Sequence, residues 1–207
     1  MASVPSTVKE TGAQPAWQIA ELFPNQGNLS DSDYLFLTKH TNRIVEFTDG
    51  RIEVLPMPTL EHQEIVLFLV NLLRSFIGAR NLGRAIMAPL RVMLRDGKFR
   101  EPDVVFMLQR NSSRIGNEYW QGADLVMEVI SEDNPNRDLQ IKRIDYAEAG
   151  IPEYWIVDPR TRTITVLRLD GNQYVTHSEA RNDGLVHSSL LSGFTADVAA
   201  AFAANPS

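Results

Sequence analysis

The chain has 207 residues, of which 43% are hydrophobic, and its formal net charge is −6 at pH 7. It contains no cysteine, which excludes disulfides, thiolate metal sites and cysteine nucleophiles and leaves oxygen or imidazole ligands for any metal. The mild acidity argues against strong non-specific binding to nucleic acid, and no apolar run approaches the roughly 20 residues of a membrane helix, so we expect a soluble, cytoplasmic protein.

The sequence predicts one domain preceded by a short arm. Residues 1–24 mix Ser, Thr, Pro, Gln and Ala without a sustained period, which is typical of a loosely ordered segment. The remaining residues, 25–207, suffice for a single domain with a full hydrophobic core. We therefore expect an N-terminal arm and one domain.

Three β-hairpins are predicted by Asp-Gly pairs, each of which stands between two apolar runs. The pairs are Asp49-Gly50, Asp96-Gly97 and Asp170-Gly171. Around the second pair, residues 85–94 and 99–108 are predicted to form one long hairpin. The pattern therefore implies at least three antiparallel strand pairs.

Four helices are predicted from capping residues and from apolar positions at helical spacing. They are a short helix opening at residues 30–33, a long amphipathic helix over residues 59–77, a helix from Asn134 to about Gly150, and a short terminal helix over residues 196–203. The order of helices and strands indicates an α+β fold of α/β/α type, with a mixed sheet flanked by helices and extended by hairpins.

Two short apolar runs, residues 104–108 and 125–130, are predicted to be central strands, and each is accompanied by one acid. Asp103 precedes the first run and Glu128 interrupts the second. A carboxylate inside an apolar strand is costly unless it is paired, protonated or bound to a cation. On neighbouring strands the two acids could share Mg²⁺ or Mn²⁺, act as an acid/base pair, or cap loops.

The chain resembles the PD-(D/E)XK nuclease superfamily, and more specifically the bacterial Uma-type family of restriction-endonuclease-like proteins. The resemblance extends from about residue 43 to residue 194. The residues that carry it are Pro102-Asp103, the triplet Glu128-Val129-Ile130, and the segment DLQIKRIDYAEAGIPEYWIVDP at residues 138–159.

This resemblance implies a restriction-endonuclease-like fold with about four core strands, and a metal-dependent endonuclease that acts on nucleic acid, with DNA as the expected substrate. Asp103, Glu128 and the carbonyl group of Val129 would then bind Mg²⁺ or Mn²⁺. His62 matches a histidine of the family and is predicted to orient a phosphate, a water molecule or Asp103; the alternative is a histidine on the helix surface.

The chain departs from the superfamily at one position. The pattern places a lysine two residues after the second acid, where this chain has Ile130. The resemblance implies that Lys142, on the following helix, is the migrated catalytic lysine. The alternative is a solvated helix side chain in surface ion pairs, which would contribute only about 0.3–0.5 kcal/mol each.

Two other functions stay open at this point. A catalytically inactive module that binds nucleic acid or protein would agree with the absent strand lysine and the acidic net charge. A carboxylate hydrolase acting on a glycosidic bond would use Asp103 and Glu128 as its acid pair.

Two surface features are also predicted. Tyr119 and Trp120 lie in a polar connector, residues 109–122, and exposed aromatic residues of this kind favour a homodimer interface. Nine basic residues are expected to form a patch that faces phosphate. They are Arg74, Arg80, Arg84, Arg91, Arg95, Lys98, Arg100, Arg110 and Arg114.

Overall fold

A computed structural model describes residues 26–40, 43–131 and 135–203. The predicted arm at residues 1–24 and the predicted helix cap Asn134 lie outside these ranges. Among the residues described, none of the helices combines the length and the apolar character that crossing a membrane requires.

The described helices are α1 Asp31–Lys39, α2 Leu60–Gly78, α3 Lys142–Glu148 and α4 Val198–Ala203. The strands are β1 Val45–Thr48, β2 Arg51–Val54, β3 Gly83–Met87, β4 Arg91–Arg95, β5 Lys98–Arg100, β6 Val104–Leu108, β7 Tyr119–Gln121, β8 Leu125–Val129, β9 Glu153–Asp158, β10 Thr163–Asp170, β11 Gln173–Arg181, β12 Leu185–His187 and β13 Thr195–Asp197.

A mixed six-stranded sheet in the order β11-β10-β9-β8-β6-β3 forms the centre of the fold. Strands β8 and β9 are parallel, and the other neighbours are antiparallel. Apolar side chains of α2 and α4 pack on one face of this sheet, whereas α3 packs on the other. The predicted α+β fold with a mixed sheet flanked by helices is therefore confirmed.

A second sheet, in the order β2-β1-β5-β4-β7, was not foreseen as a separate unit. The predicted long hairpin is divided between the two sheets, because β3 pairs with β6 and β4 pairs with β5. Pro89 and Pro102 lie at the points of division. Since proline cannot donate a ladder hydrogen bond, both positions suit a strand that leaves one sheet and enters another.

The long helix α2 begins where the sequence predicts. The hydroxyl of Thr59 accepts a hydrogen bond from the backbone N–H of His62 at 3.2 Å, which caps the helix. The apolar stripe from Ile65 to Ile77 is buried against the central sheet. The cap therefore places His62 in the first turn, at the edge of the sheet.

The connector at residues 109–122 differs from its prediction. It contains a 3₁₀ helix, Gln109–Arg114, and then strand β7, which pairs with β4 in parallel. Trp120 is only 2% exposed and packs in the core shared by α3 and the central sheet. The prediction that Trp120 is exposed is wrong, because β7 turns it into the interior.

Candidate active site

The pairing of β6 with β8 places Asp103 opposite Glu128. Val104 is paired with Met127 in this antiparallel ladder, so Asp103 and Glu128 occupy the next facing positions. Side chains alternate along a strand, and the neighbours Val126 and Ile130 pack on the side of α3. Glu128 therefore points towards α3. This is the orientation that lets its carboxylate converge with that of Asp103 at this edge of the sheet.

Glu128 is 2% exposed and is held by two side chains of α3. Its Oε1 atom lies 2.9 Å from Nζ of Lys142 and accepts a hydrogen bond of 2.5 Å from the hydroxyl of Tyr146. Both contacts use the same oxygen, so Oε2 is the carboxylate oxygen that these contacts leave available.

Lys142 is the centre of an acidic cluster. Besides Glu128, its Nζ atom lies 3.3 Å from Oε1 of Glu46 and 3.2 Å from Oδ1 of Asp138. Lys142 is 2% exposed, so the alternative of a solvated helix side chain does not hold. A π-helical turn, Arg137–Ile141, precedes α3, and both Asp138 and Lys142 are buried.

Burial and neighbouring charges shift the pKa values of both Glu128 and Lys142. Burial raises the pKa of the Glu128 carboxyl to about 8, although the Lys142 ammonium acts in the opposite direction. Burial alone would lower the pKa of Lys142, but Glu128, Glu46 and Asp138 outweigh it and hold that pKa well above its usual range. Glu128 therefore retains a proton more readily than an ordinary glutamate when no further cation is present.

Asp103 is positioned by two donors. Its Oδ2 atom accepts a hydrogen bond of 2.8 Å from the backbone N–H of Val129 and lies 3.2 Å from Nε2 of His62. Burial opposes protonation of His62, but the contact with Asp103 outweighs it and raises the pKa of the ring. His62 therefore lies beside Asp103, and the surface alternative for this histidine does not hold.

A second buried network joins the five-stranded sheet to α3. Arg100 donates to Asp145 from Nη2 at 2.6 Å and also lies 3.6 Å from Glu46. Lys98 contacts the same Asp145 at 2.5 Å. These two cations are thus neutralised inside the protein, and the prediction that they belong to a phosphate-facing patch is wrong.

A cavity of ≈ 830 Å³ opens over the two acids. None of the nine predicted patch residues lines it in the described part of the chain, and three other arginines do, namely Arg43, Arg137 and Arg160. Its charged lining residues also include His62, Glu101, Asp103, Glu128, Asp138 and Lys142. The cavity wall is otherwise largely apolar.

Asp103 and Glu128 are the acids that a divalent cation would bind. Among the described residues, no three His, Cys, Asp or Glu side chains already form a metal-binding cluster. Asp103 and Glu128 nevertheless offer two facing carboxylates that line one cavity, and carboxylate and carbonyl oxygens suit Mg²⁺ and Mn²⁺. The contacts with Lys142 and Tyr146 use only Oε1 of Glu128 and leave Oε2 for a ligand, so the residues fit such a cation.

Sequence reasoning missed four residues of this arrangement: Glu46, Arg137, Asp138 and Tyr146. Glu46 interrupts an apolar strand in the same way as Glu128, so the same signal could have identified it. Tyr146 packs its helix on the sheet, and its hydroxyl also donates to Glu128. No pattern in the sequence marks that hydroxyl as a donor to the acid.

Comparisons with known proteins give one family. The model of the Uma2 family, described as "Putative restriction endonuclease", matches residues 31–199. A crystal structure from Anabaena variabilis ATCC 29413 at 1.96 Å resolution, described as "a putative nuclease belonging to DUF820", aligns with a TM-score of 0.69 and 21% identity. The alignment covers 85% of this chain and 98% of that chain, which shows a shared fold. No curated protein matches the sequence.

Proposed function

The chain belongs to the Uma2 family of restriction-endonuclease-like proteins, and on that basis we propose that it is a metal-dependent endonuclease that hydrolyses phosphodiester bonds of DNA. The observation that supports this most strongly is the contact of 2.9 Å between Lys142 and Glu128. Although Ile130 replaces the strand lysine of the superfamily, an ammonium group still reaches the second acid from the neighbouring helix.

Asp103, Glu128 and the carbonyl group of Val129 would hold Mg²⁺ or Mn²⁺. Such a cation, when bound, supplies positive charge to the phosphodiester and acidifies the attacking water. Lys142 and Tyr146 both hold Oε1 of Glu128, which fixes the orientation of that carboxylate. His62 in turn holds Asp103.

Lys142 has a second role in this proposal. Lys142 lines the cavity that contains Asp103 and Glu128, and we expect its ammonium to offset the negative charge that develops on the phosphate. A preorganised cation in a buried site stabilises such charge more strongly than a solvated one. The three carboxylates around Lys142 keep it protonated at neutral pH.

The test is cleavage of plasmid and single-stranded DNA with Mn²⁺ and, separately, with EDTA. The wild-type protein should cleave only with the metal, and Asp103→Asn should lose at least about 100-fold in rate. Asp170→Asn, at an exposed hairpin turn, is the matched control and should retain wild-type turnover. Unchanged cleavage by Asp103→Asn would refute the assignment of Asp103 to the active site.

The inactive binding module is the alternative proposal, and the net charge of −6 is the observation that favours it. It predicts binding of nucleic acid or protein without metal-dependent turnover in the same assay. The glycosidase alternative has weaker support, because the family whose model matches the chain is one of restriction-endonuclease-like proteins.

Two further expectations remain proposals. Residues 25–207 are proposed to form one domain, and the protein is proposed to form a homodimer, as enzymes that cut both DNA strands commonly do. The burial of Trp120 removes one reason for the dimer. Light scattering at micromolar protein tests it, and a monomeric mass would refute it.

A further inference from the structure

The acids and Lys142 lie at the bottom of the cavity. The side chains of Glu128 and Lys142 are each 3% exposed, and that of Asp103 is 17% exposed. A phosphodiester on a flat surface could not contact these groups. A nucleic acid therefore has to insert part of its backbone into the cavity to reach them.

One wall of the cavity is an apolar lip, which we define as residues 55–58 together with Leu60. It consists of Leu55, Pro56, Met57, Pro58 and Leu60, and it connects β2 to the first turn of α2. Met57 is 75% exposed and Leu60 is 71% exposed. These two side chains do not belong to the core, so their role is not explained by folding.

The lip is continuous with charged groups that suit phosphate. His62 follows Leu60 in the first turn of α2 and contacts Asp103 at 3.2 Å. Arg137, whose side chain is 8% exposed, also lines the cavity. Its guanidinium is paired with Glu53 at 3.0 Å, and its buried Nε atom lies 3.9 Å from Oδ1 of Asp138. Arg137 therefore contributes positive charge to this part of the cavity, offset by these two carboxylates.

A nucleotide in an intact duplex could not place its phosphate at the acids and its base on the lip at the same time. In a duplex the bases are stacked and paired, so a nucleotide that enters a cavity must first leave the stack. The cost is a loss of stacking and pairing, and it is smallest when the strand is already single. The cavity has a charged bottom and an apolar wall. One unstacked nucleotide could therefore place its phosphate at the bottom and its base against the wall.

We propose that the cavity takes one unpaired nucleotide of a single strand, with its phosphate at the carboxylates and its base against the apolar lip. This proposal rests on the nuclease function and specifies its substrate class. Aliphatic side chains contact any base face without reading its hydrogen-bonding edge. The site is therefore tolerant of sequence and selective for single strands.

The first experiment measures binding without turnover, by fluorescence anisotropy in Ca²⁺. The probes are a thymidine strand of about 12 nucleotides and an abasic strand of the same length, which carries the same phosphates. The wild-type protein should bind the thymidine strand at least about 10-fold more tightly. The double variant Met57→Ser, Leu60→Ser should lose this preference and keep its affinity for the abasic strand.

Leu185→Ser is the matched control, because Leu185 is 51% exposed on β12 and does not line the cavity. It should keep the preference for bases. Equal binding of both strands by the wild-type protein would overturn the proposal. So would a preference that survives in the double variant.

The second experiment compares cleavage of a single strand with cleavage of its duplex in Mn²⁺. We expect the single strand to be cut roughly 100-fold faster. Equal rates would overturn the substrate class and leave the nuclease function intact. If nothing is cleaved while the preference for bases persists, the nuclease function fails and the nucleotide-binding site stands.

Discussion

Nζ of Lys142 lies 2.9 Å from Oε1 of Glu128, and both side chains are 3% exposed. The two residues belong to different elements, α3 and β8, so this contact forms only when the helix packs on the sheet. An isolated charge in such a place would be strongly unfavourable. Each of the two residues therefore depends on the other.

Lys142→Met separates a catalytic lysine from a purely structural one. Without metal, the variant leaves Glu128, Glu46 and Asp138 without their shared cation, so unfolding should require about 3–5 kcal/mol less free energy. With Mn²⁺, whose charge replaces the ammonium, binding should persist while turnover falls roughly 100-fold. Calorimetry with Mn²⁺ and a cleavage assay measure the two effects. Wild-type turnover in this variant would refute a catalytic role for Lys142.

Tyr146→Phe tests how much the orientation of Glu128 matters. The change removes only the hydroxyl that donates to Oε1 of Glu128, so we expect Mn²⁺ affinity or turnover to fall about 10-fold. Tyr174→Phe is the control, because its hydroxyl is also buried but donates to the backbone carbonyl of Ile151. If both variants lose the same activity, the effect of Tyr146 is general destabilisation.

The ion pairs of two aspartates should differ in strength according to their burial. Asp145 neutralises Lys98 and Arg100 in the interior, so Asp145→Asn should lower the free energy of unfolding by about 3–5 kcal/mol. Asp49 pairs with Arg95 at an exposed turn, and Asp49→Asn should cost less than about 1 kcal/mol. Urea denaturation measures both values. Similar losses would show that the Asp145 network contributes no more than a surface pair.

Glu53 should make stability depend on pH. Burial and the neighbouring Glu46 raise its pKa above the ordinary 4.5, against the opposing effect of Arg137. Between pH 4.5 and the raised pKa, the folded state holds a proton that the unfolded chain has lost. The stability that Glu53 contributes is therefore complete below pH 4.5. It is lost as the pH rises through the pKa of Glu53 in the folded protein.

Glu53→Gln removes the titrating group and keeps an oxygen for Arg137. Relative to this variant, the wild-type protein should lose stability as the pH rises above 4.5. Urea titrations at a series of pH values measure the difference. If the two stability curves run parallel across that range, the pKa of Glu53 is not raised in the folded protein.

The central acids could be predicted because the sequence makes them conspicuous. Glu128 is a charge within an apolar strand, and Asp103 precedes a strand that had to lie beside it. The pairing of Val104 with Met127 confirms this relationship. Local pattern was sufficient here because the strand period decides which face each side chain occupies.

The burial of Lys142 and the division into two sheets depend on contacts between distant segments. Strand β1 pairs with β5, where Phe47 faces Phe99 in the ladder, and no local pattern specifies a partner so distant in sequence. The position of Lys142 in its helix does not decide whether its side chain is buried or faces the solvent. In the folded protein Glu46, from the second sheet, joins Glu128 and Asp138 around the Lys142 ammonium.

This arrangement also sets the order in which the site is assembled. A ribosome produces Glu46, then Asp103 and Glu128, and the helix of Lys142 only afterwards. Until that helix packs on the sheet, the acids lack their buried cation. Contacts between segments that are distant in sequence are expected to form late in folding. A partly synthesised chain therefore carries the acids without Lys142, and the complete cluster forms only after α3 has been made and has packed on the sheet.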